Sequence, residues 1–287
     1  MKKCTYCGKE YPDDAVRCSI DEFPLSGGES VIPVAEEVAV RPLLAPPGPA
    51  LTRIVLTDRQ MEIFEVVLVC VIAFGVSVLG SIYLLFDRNI YGETTRSAYA
   101  WAAQGLREVA CLGLLWYLLQ RRGKTLADLG LSWSPKDFGW SIILWLAAHV
   151  AYNLVRSGIY SLGLAAGNPE TVHQAVGHLL FGGGIFFATI LVQFINPFFE
   201  ELIVRAYLMT EVKRLTKSIP KAILLSTVLQ ASYHFYQGGP AVVAHGAGFL
   251  IFSIYYAKTN RIAPVILAHL YSDAGSTLDY WLRSSHF

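Results

Sequence analysis

From about residue 62 onward, apolar residues come in long runs, not in the alternating or one-sided patterns of a water-soluble fold. Seven runs are long enough, or nearly so, to cross a bilayer: 63–86, 97–119, 138–164, 180–208, 219–237, 240–257 and 262–283. The pattern predicts an all-α, multi-pass transmembrane helical bundle of about seven spans, with six to eight as the range. Pro197 is expected to interrupt the fourth run.

The amino-terminal part has a different texture. Residues 26–60 show no sustained period, and Pro42, Pro46, Pro47 and Pro49 block a long helix, so this stretch reads as a linker. Residues 1–25 hold Cys4 and Cys7 as a C-x2-C pair, then Cys18 with Asp21 three positions on. Two thiolates on a tight turn grip Zn²⁺ from one side, and a second pair completes a tetrahedron. A stretch this short cannot bury a core, so a structural zinc knuckle of Cys4, Cys7, Cys18 and Asp21 is the expectation. The predicted organisation is therefore a knuckle at 1–25, a linker at 26–60 and a membrane domain at 61–287. Met1-Lys2-Lys3 runs into Cys4 and not into an apolar stretch, so no secretory leader is expected.

Composition sharpens this picture. The chain is 54% apolar and 16% charged, with a mean hydropathy of +0.43. A net charge of +1 spread over the chain offers no basic face, which argues against nucleic acid as a partner. Lys and Arg are distributed unevenly among the predicted loops. Arg121, Arg122, Lys124, Lys136, Lys213, Arg214, Lys217, Lys221, Lys258 and Arg261 fall on the amino-terminal side, and Arg88, Arg96 and Arg283 on the other. By the positive-inside rule the expectation is a cell (inner) membrane protein with its amino terminus in the cytoplasm. That places the knuckle where thiols stay reduced and where a cytoplasmic partner could reach it.

Ionisable residues inside such runs are costly, about 2.5–3.5 kcal/mol at the bilayer centre on insertion scales, and so mark candidate chemistry. Glu200 and Glu201 are adjacent, and Glu201 and Arg205 are spaced to pair on one helical face, leaving Glu200 about 100° away and free. His269 and Asp273 share a face in the same way, and an acid there can fix the imidazole tautomer. His234 taken alone reads as a core histidine bonded to a backbone carbonyl. A turn at 217–220 would make a helical hairpin that puts Glu200 and His234 at one level, about 25 Å from the turn. His269 joins that level if the polar run 211–217 projects about two turns beyond the membrane. Arg107, Glu108, His149, Asn153, Arg156 and His245 read as interhelical hydrogen bonds or helix-end anchors. An activated water and donors for an oxyanion are what peptide hydrolysis needs, and Glu200, His234 and His269 supply them. The same three residues could equally form a His₂Glu zinc site.

The motifs Glu200-Glu201-x-x-x-Arg205, Gln230-x-x-x-His234 and His269-x-x-x-Asp273, in this order on successive apolar helices, resemble the CPBP intramembrane endopeptidases. That family includes the type II CAAX prenyl proteases and bacteriocin-processing relatives. The resemblance covers roughly 97–283. It implies Glu200 as the general base, His234 as a holder of the water, and His269 with Asp273 at the oxyanion. It also implies Glu201 and Arg205 as supports, a membrane-associated peptide or protein substrate, and a metal-free glutamic mechanism. Gln230 stands where the family has Phe. Asp273 stands where it has Asn, and an ionised Asp cannot donate to an oxyanion. Two other readings remain: a non-catalytic membrane scaffold of the same family, and a proton-relaying transporter, against which the halves show no self-similarity.

Overall fold

The computed structural model describes residues 2–4, 9–19, 25, 57–86, 95–165, 169–185 and 187–284. The chain divides into two units, Met1–Ile54 and Val55–Phe287.

In the first unit, β1 (Lys2–Lys3) pairs antiparallel with β2 (Glu10–Tyr11), with Lys2 opposite Tyr11. Cys4, Cys18 and Leu25 form its small buried cluster, and the Tyr11 hydroxyl lies 3.1 Å from Cys18 Sγ. Cys7 and Asp21, the other two expected zinc ligands, lie outside the described residues.

The second unit is an all-α membrane bundle. Its helices are α1 (Asp58–Phe86), α2 (Ala98–Arg121), α3 (Pro135–Ser161), α4 (Pro169–Phe181), α5 (Phe187–Glu200), α6 (Leu208–Thr216), α7 (Ile219–Ser232), α8 (Gly239–Thr259) and α9 (Ala263–Ser284). Among the described residues, four helical rods are long and apolar enough to cross a membrane: 58–86, 135–161, 187–216 and 239–259. Local chemistry sets several boundaries. Thr57 and Gln60 exchange hydrogen bonds at the start of α1, where Gln60 N–H donates to Thr57 Oγ1 (3.3 Å) and Thr57 N–H to Gln60 Oε1 (2.9 Å). Ser134 and Asp137 form a capping box for α3, with Pro135 in the first turn.

Two expectations are corrected. The run 180–208 is not one helix: α4 ends at Phe181, and Gly182, Gly183 and Gly184 separate it from α5. Pro197 does not break the following rod, which stays helical from Phe187 to Thr216. Neighbouring helices in a membrane re-satisfy the carbonyl that a proline leaves open.

Charged contacts gather at one end of this bundle. Arg122 meets Glu65 (2.6 Å) and Glu211 (2.9 Å), Arg214 meets Glu211 (2.7 Å) and Glu62 (2.9 Å), and Arg261 meets Asp137 (2.8 Å). The start of α1, the end of α2, the start of α3, the end of α6 and the α8–α9 turn therefore share that end. At the opposite end Arg283 meets Glu170 (2.6 Å) and the Tyr236 N–H donates to Ser81 (2.8 Å). The α8–α9 turn is locked by Gly130, whose carbonyl accepts from Ile262 N–H at 3.1 Å. Near the end of α8, the Tyr256 hydroxyl donates to Leu129 O (3.0 Å) and lies 3.3 Å from Thr210 Oγ1. Thr210 therefore stands level with Tyr256, and α6 ends only about 3 Å beyond the α8–α9 turn at about 1.5 Å per residue.

Candidate functional site

The α5–α7 hairpin builds the site. Lys217, in the left-handed region at φ 57°, ends α6, and the Ser218 side chain caps α7. The return path brings α7 alongside α5, with Gln230 and Tyr233 beside Glu200. Between α5 and α6 the rod widens into a π-helical stretch, Glu201–Tyr207, all of it buried. Leu208 N–H reaches back to Ile203 O there. Such turns concentrate at functional sites, and this one carries Glu201 and Arg205.

Glu201 is fully buried and doubly engaged. Its Oε2 meets Arg205 Nη1 at 3.0 Å, the pairing expected from the spacing, and its Oε1 meets His269 Nδ1 at 2.8 Å. Arg205 is itself sealed in, donating to Phe249 O (3.3 Å) with the Phe249 and Phe252 rings around it. Two buried charges of this kind hold only because each is paired and bonded.

Glu200 is not the free carboxylate the helical wheel predicts. Its Oε2 accepts from the Tyr233 hydroxyl at 2.6 Å and from Gln230 Nε2 at 3.0 Å. Gln230 Nε2 also donates to Glu201 Oε1 at 3.1 Å, so one amide bridges the adjacent carboxylates. Glu200 keeps 7% of its surface exposed, and its Oε1 has no hydrogen-bond partner among the described residues.

His234 lies past the end of α7, in a turn before a short 3-10 turn at Phe235–Gln237, and not within a helix as expected. Its Nδ1 is 2.8 Å from Gln230 O. A carbonyl only accepts, so Nδ1 carries the proton and Nε2 is left as an acceptor. Tyr233, His245 and Phe249 pack around the ring at centroid distances of 4.9, 5.1 and 5.1 Å.

His269 and Asp273 share a face as the spacing predicts, with Asp273 Oδ1 at ion-pair distance, 3.6 Å, from His269 Nε2. The shorter contact to the imidazole comes from Glu201 on the neighbouring rod, whose Oε1 accepts from Nδ1–H at 2.8 Å. Asn196 Nδ2 donates to Asp273 Oδ2 at 3.4 Å. Glu200, Glu201, Arg205, Gln230, His269 and Asp273 thus belong to one continuous polar network, with His234 at its edge.

Tyr233 escaped the sequence reading, although it adjoins a flagged histidine. His245, read as an anchor, stands beside His234, and its Nε2 lies 2.6 Å from Gln237 Oε1. Glu108 is fully buried, with one oxygen accepting from Gln104 at 2.6 Å and the other without a hydrogen bond among the described residues. Arg107 reaches across to α1, donating to Ala73 O (3.1 Å) and Ser77 (2.9 Å), an interhelical bond of the expected kind. Among the described residues, no three His, Cys, Asp or Glu side chains are grouped as metal ligands.

Residues 182–275 match the family model of the type II CAAX prenyl endopeptidases, Rce1-like, a family of peptidases. The matched stretch contains every residue of the network around Glu200. No curated protein and no solved structure matches the chain.

Proposed function

We propose that this protein is an intramembrane endopeptidase that hydrolyses peptide bonds of membrane-associated substrates, prenylated CAAX-type peptides among the candidates, through a water activated by Glu200 and His234. The observation that carries the reading is the state of Glu200. It is a carboxylate with one oxygen fixed by two neutral donors and the other open, next to an imidazole with an open acceptor nitrogen. A water between Glu200 Oε1 and His234 Nε2 would be oriented by both. Glu200 takes its proton as the hydroxide adds to the scissile carbonyl carbon, and returns it to the leaving amine as the C–N bond breaks. His269 stands between Glu201 and Asp273, where an imidazolium is balanced by two carboxylates. Its Nε2–H is the donor for the oxyanion. Asp273, an acceptor here, acts through His269 and not on the substrate.

The proposed mechanism routes no step through a metal: both histidines commit Nδ1 to a protein oxygen and keep Nε2 for the water and the oxyanion. The basic end is proposed to face the cytoplasm of the cell (inner) membrane, following the distribution of Lys and Arg. In the amino-terminal unit, Cys4, Cys7, Cys18 and Asp21 are proposed to hold a structural Zn²⁺ and to present a surface for a cytoplasmic partner. The spacing of the C-x2-C pair with Cys18 and Asp21 is what supports the zinc reading. Zinc bound to full-length protein, and lost in Cys4→Ser with Cys18→Ser, is the measurement for it.

The enzymatic proposal is tested with purified protein in nanodiscs, a library of lipidated and unlipidated peptides, and chelator-treated controls. Glu200→Gln and His234→Ala are expected to melt normally and to lose cleavage by about a hundredfold or more, the usual scale for a general base. Undiminished turnover in either variant overturns it. Rescue of a deletion phenotype by Glu200→Gln points instead to the scaffold role.

A further inference from the structure

Among the described residues, the basic end of the bundle pairs Arg122, Arg214 and Arg261 and leaves Lys213, Lys217 and Lys221, like Lys136 and Lys258, without an ion pair. On the side of α1 and α6, Arg122 and Arg214 are absorbed by Glu62, Glu65 and Glu211. On the other side, between the start of α3 and the end of α8, a cavity of about 340 Å³ is lined by Lys136, Asp137, Trp140, Tyr255, Lys258 and Arg261, among others. Asp137 spends its charge on Arg261, whose Nη2 meets both carboxylate oxygens at 2.8 Å. Among the described residues, no ion pair or hydrogen bond holds the ammonium of Lys136 or of Lys258. The cavity therefore carries two uncompensated positive charges on a neutral, rigid base.

Its position is as telling as its charge. Ser134 and Thr259 stand at the limits of two rods long enough to span a membrane, so the cavity opens where a bilayer's headgroups lie. The Trp140 and Tyr255 rings lie 6.0 Å apart. Such rings prefer the membrane–water interface. Below them α3 leaves Ile143, Leu146 and Val150 about half exposed, spaced three and four residues apart along one face. Cations above, aromatic rings at the boundary and an apolar strip beneath match the three parts of one molecule: phosphate, glycerol and acyl chain.

We propose that this cavity binds the headgroup of an anionic phospholipid of the adjacent leaflet, with Lys136 and Lys258 facing the phosphate and an acyl chain running along α3. Basic pockets between helices on the cytoplasmic side are suited to such headgroups, and that leaflet carries the negative lipids. The site is separate from the network around Glu200, and its test requires no catalysis.

The test uses full-length protein in nanodiscs of phosphatidylcholine alone or with phosphatidylglycerol, followed by native mass spectrometry of the lipids that stay bound. Wild type is expected to retain phosphatidylglycerol in preference to phosphatidylcholine. The Lys136→Gln/Lys258→Gln variant should lose about thirtyfold in that preference, from the usual contribution of two lysines at an anionic surface. Lys136→Arg/Lys258→Arg should keep it. Circular dichroism and melting verify that the glutamine variant is folded, since Asp137 and Arg261 are untouched. Equal retention of the two lipids by wild type, or unchanged retention by the folded glutamine variant, overturns the proposal. Displacement of the lipid by millimolar inorganic phosphate also overturns it, because the site would then serve a soluble anion.

Discussion

His269 Nδ1 and Glu201 Oε1 lie 2.8 Å apart, joining α9 to the rod that carries both adjacent carboxylates. With Arg205 on its other oxygen at 3.0 Å, Glu201 is the hub between a fixed cation and an oriented imidazole. Removing the cation should therefore be felt as instability first. In Arg205→Met the buried carboxylate loses its ion pair, and a loss of about 3–5 kcal/mol is expected for breaking one partner of such a pair. Denaturant titration in mild detergent measures it. A stability unchanged from wild type would mean that Glu201 finds another partner.

Tyr233 and Gln230 act on Glu200 from the opposite side of the hairpin. Tyr233→Phe keeps the ring that stacks on Phe74, with centroids 5.0 Å apart, and removes only the donor. A hydrogen bond to a charged group contributes about 1.5–3 kcal/mol to stability, so the variant should lose up to that much stability, and cleavage should fall roughly tenfold to a hundredfold as Glu200 loses its fixed orientation. The expected fall lies in kcat more than in KM.

Gln230→Leu is the companion test. It strips the shared donor from Glu200 and Glu201 together, where Tyr233→Phe strips a donor from Glu200 alone. Combined with Tyr233→Phe, it should be non-additive, because both substitutions act on Glu200 Oε2. A double-mutant cycle reads the coupling, and strict additivity would place the two residues in separate roles.

Gly130→Ala probes the lock on the α8–α9 turn. Gly130 has φ +81°, and a Cβ there would stand 1.9 Å from the Asn260 carbonyl oxygen. Left-handed strain and a backbone collision together should cost about 3 kcal/mol or more. Because that turn sets the level of α9, cleavage should fall along with stability. Gly123→Ala, also at positive φ but with open space around it, serves as the control and should cost less.

Much of the site was legible from residue types. Buried acids and histidines stand out in apolar runs because solvation cannot account for them, and the Glu201–Arg205 pair follows from helical spacing. What spacing could not supply was register between helices. Nothing within α9 tells that His269 donates its hydrogen bond to Glu201 and not to Asp273, which is closer in sequence. Nor does periodicity show that Gln230 lies between two carboxylates, since a helical wheel assigns a direction and no partner. The early end of α7 at Ser232 and the break before α5 did have local signals, Gly238-Gly239-Pro240 and the glycines at 182–184, but a count of apolar residues runs across them. Cys7 and Asp21 are outside the described residues, so the knuckle rests on its cysteine pattern alone.

The stacking of Phe74 on Tyr233 has a temporal consequence. Helix α1 leaves the ribosome ahead of α7 and forms a wall against a turn made long afterwards, and His269 arrives later still, on α9. Until α9 inserts, Glu201 lacks its imidazole and Glu200 stands in an unfinished chamber. Whatever reaction the carboxylates support is thus withheld from the nascent chain and from the newly inserted proteins around it.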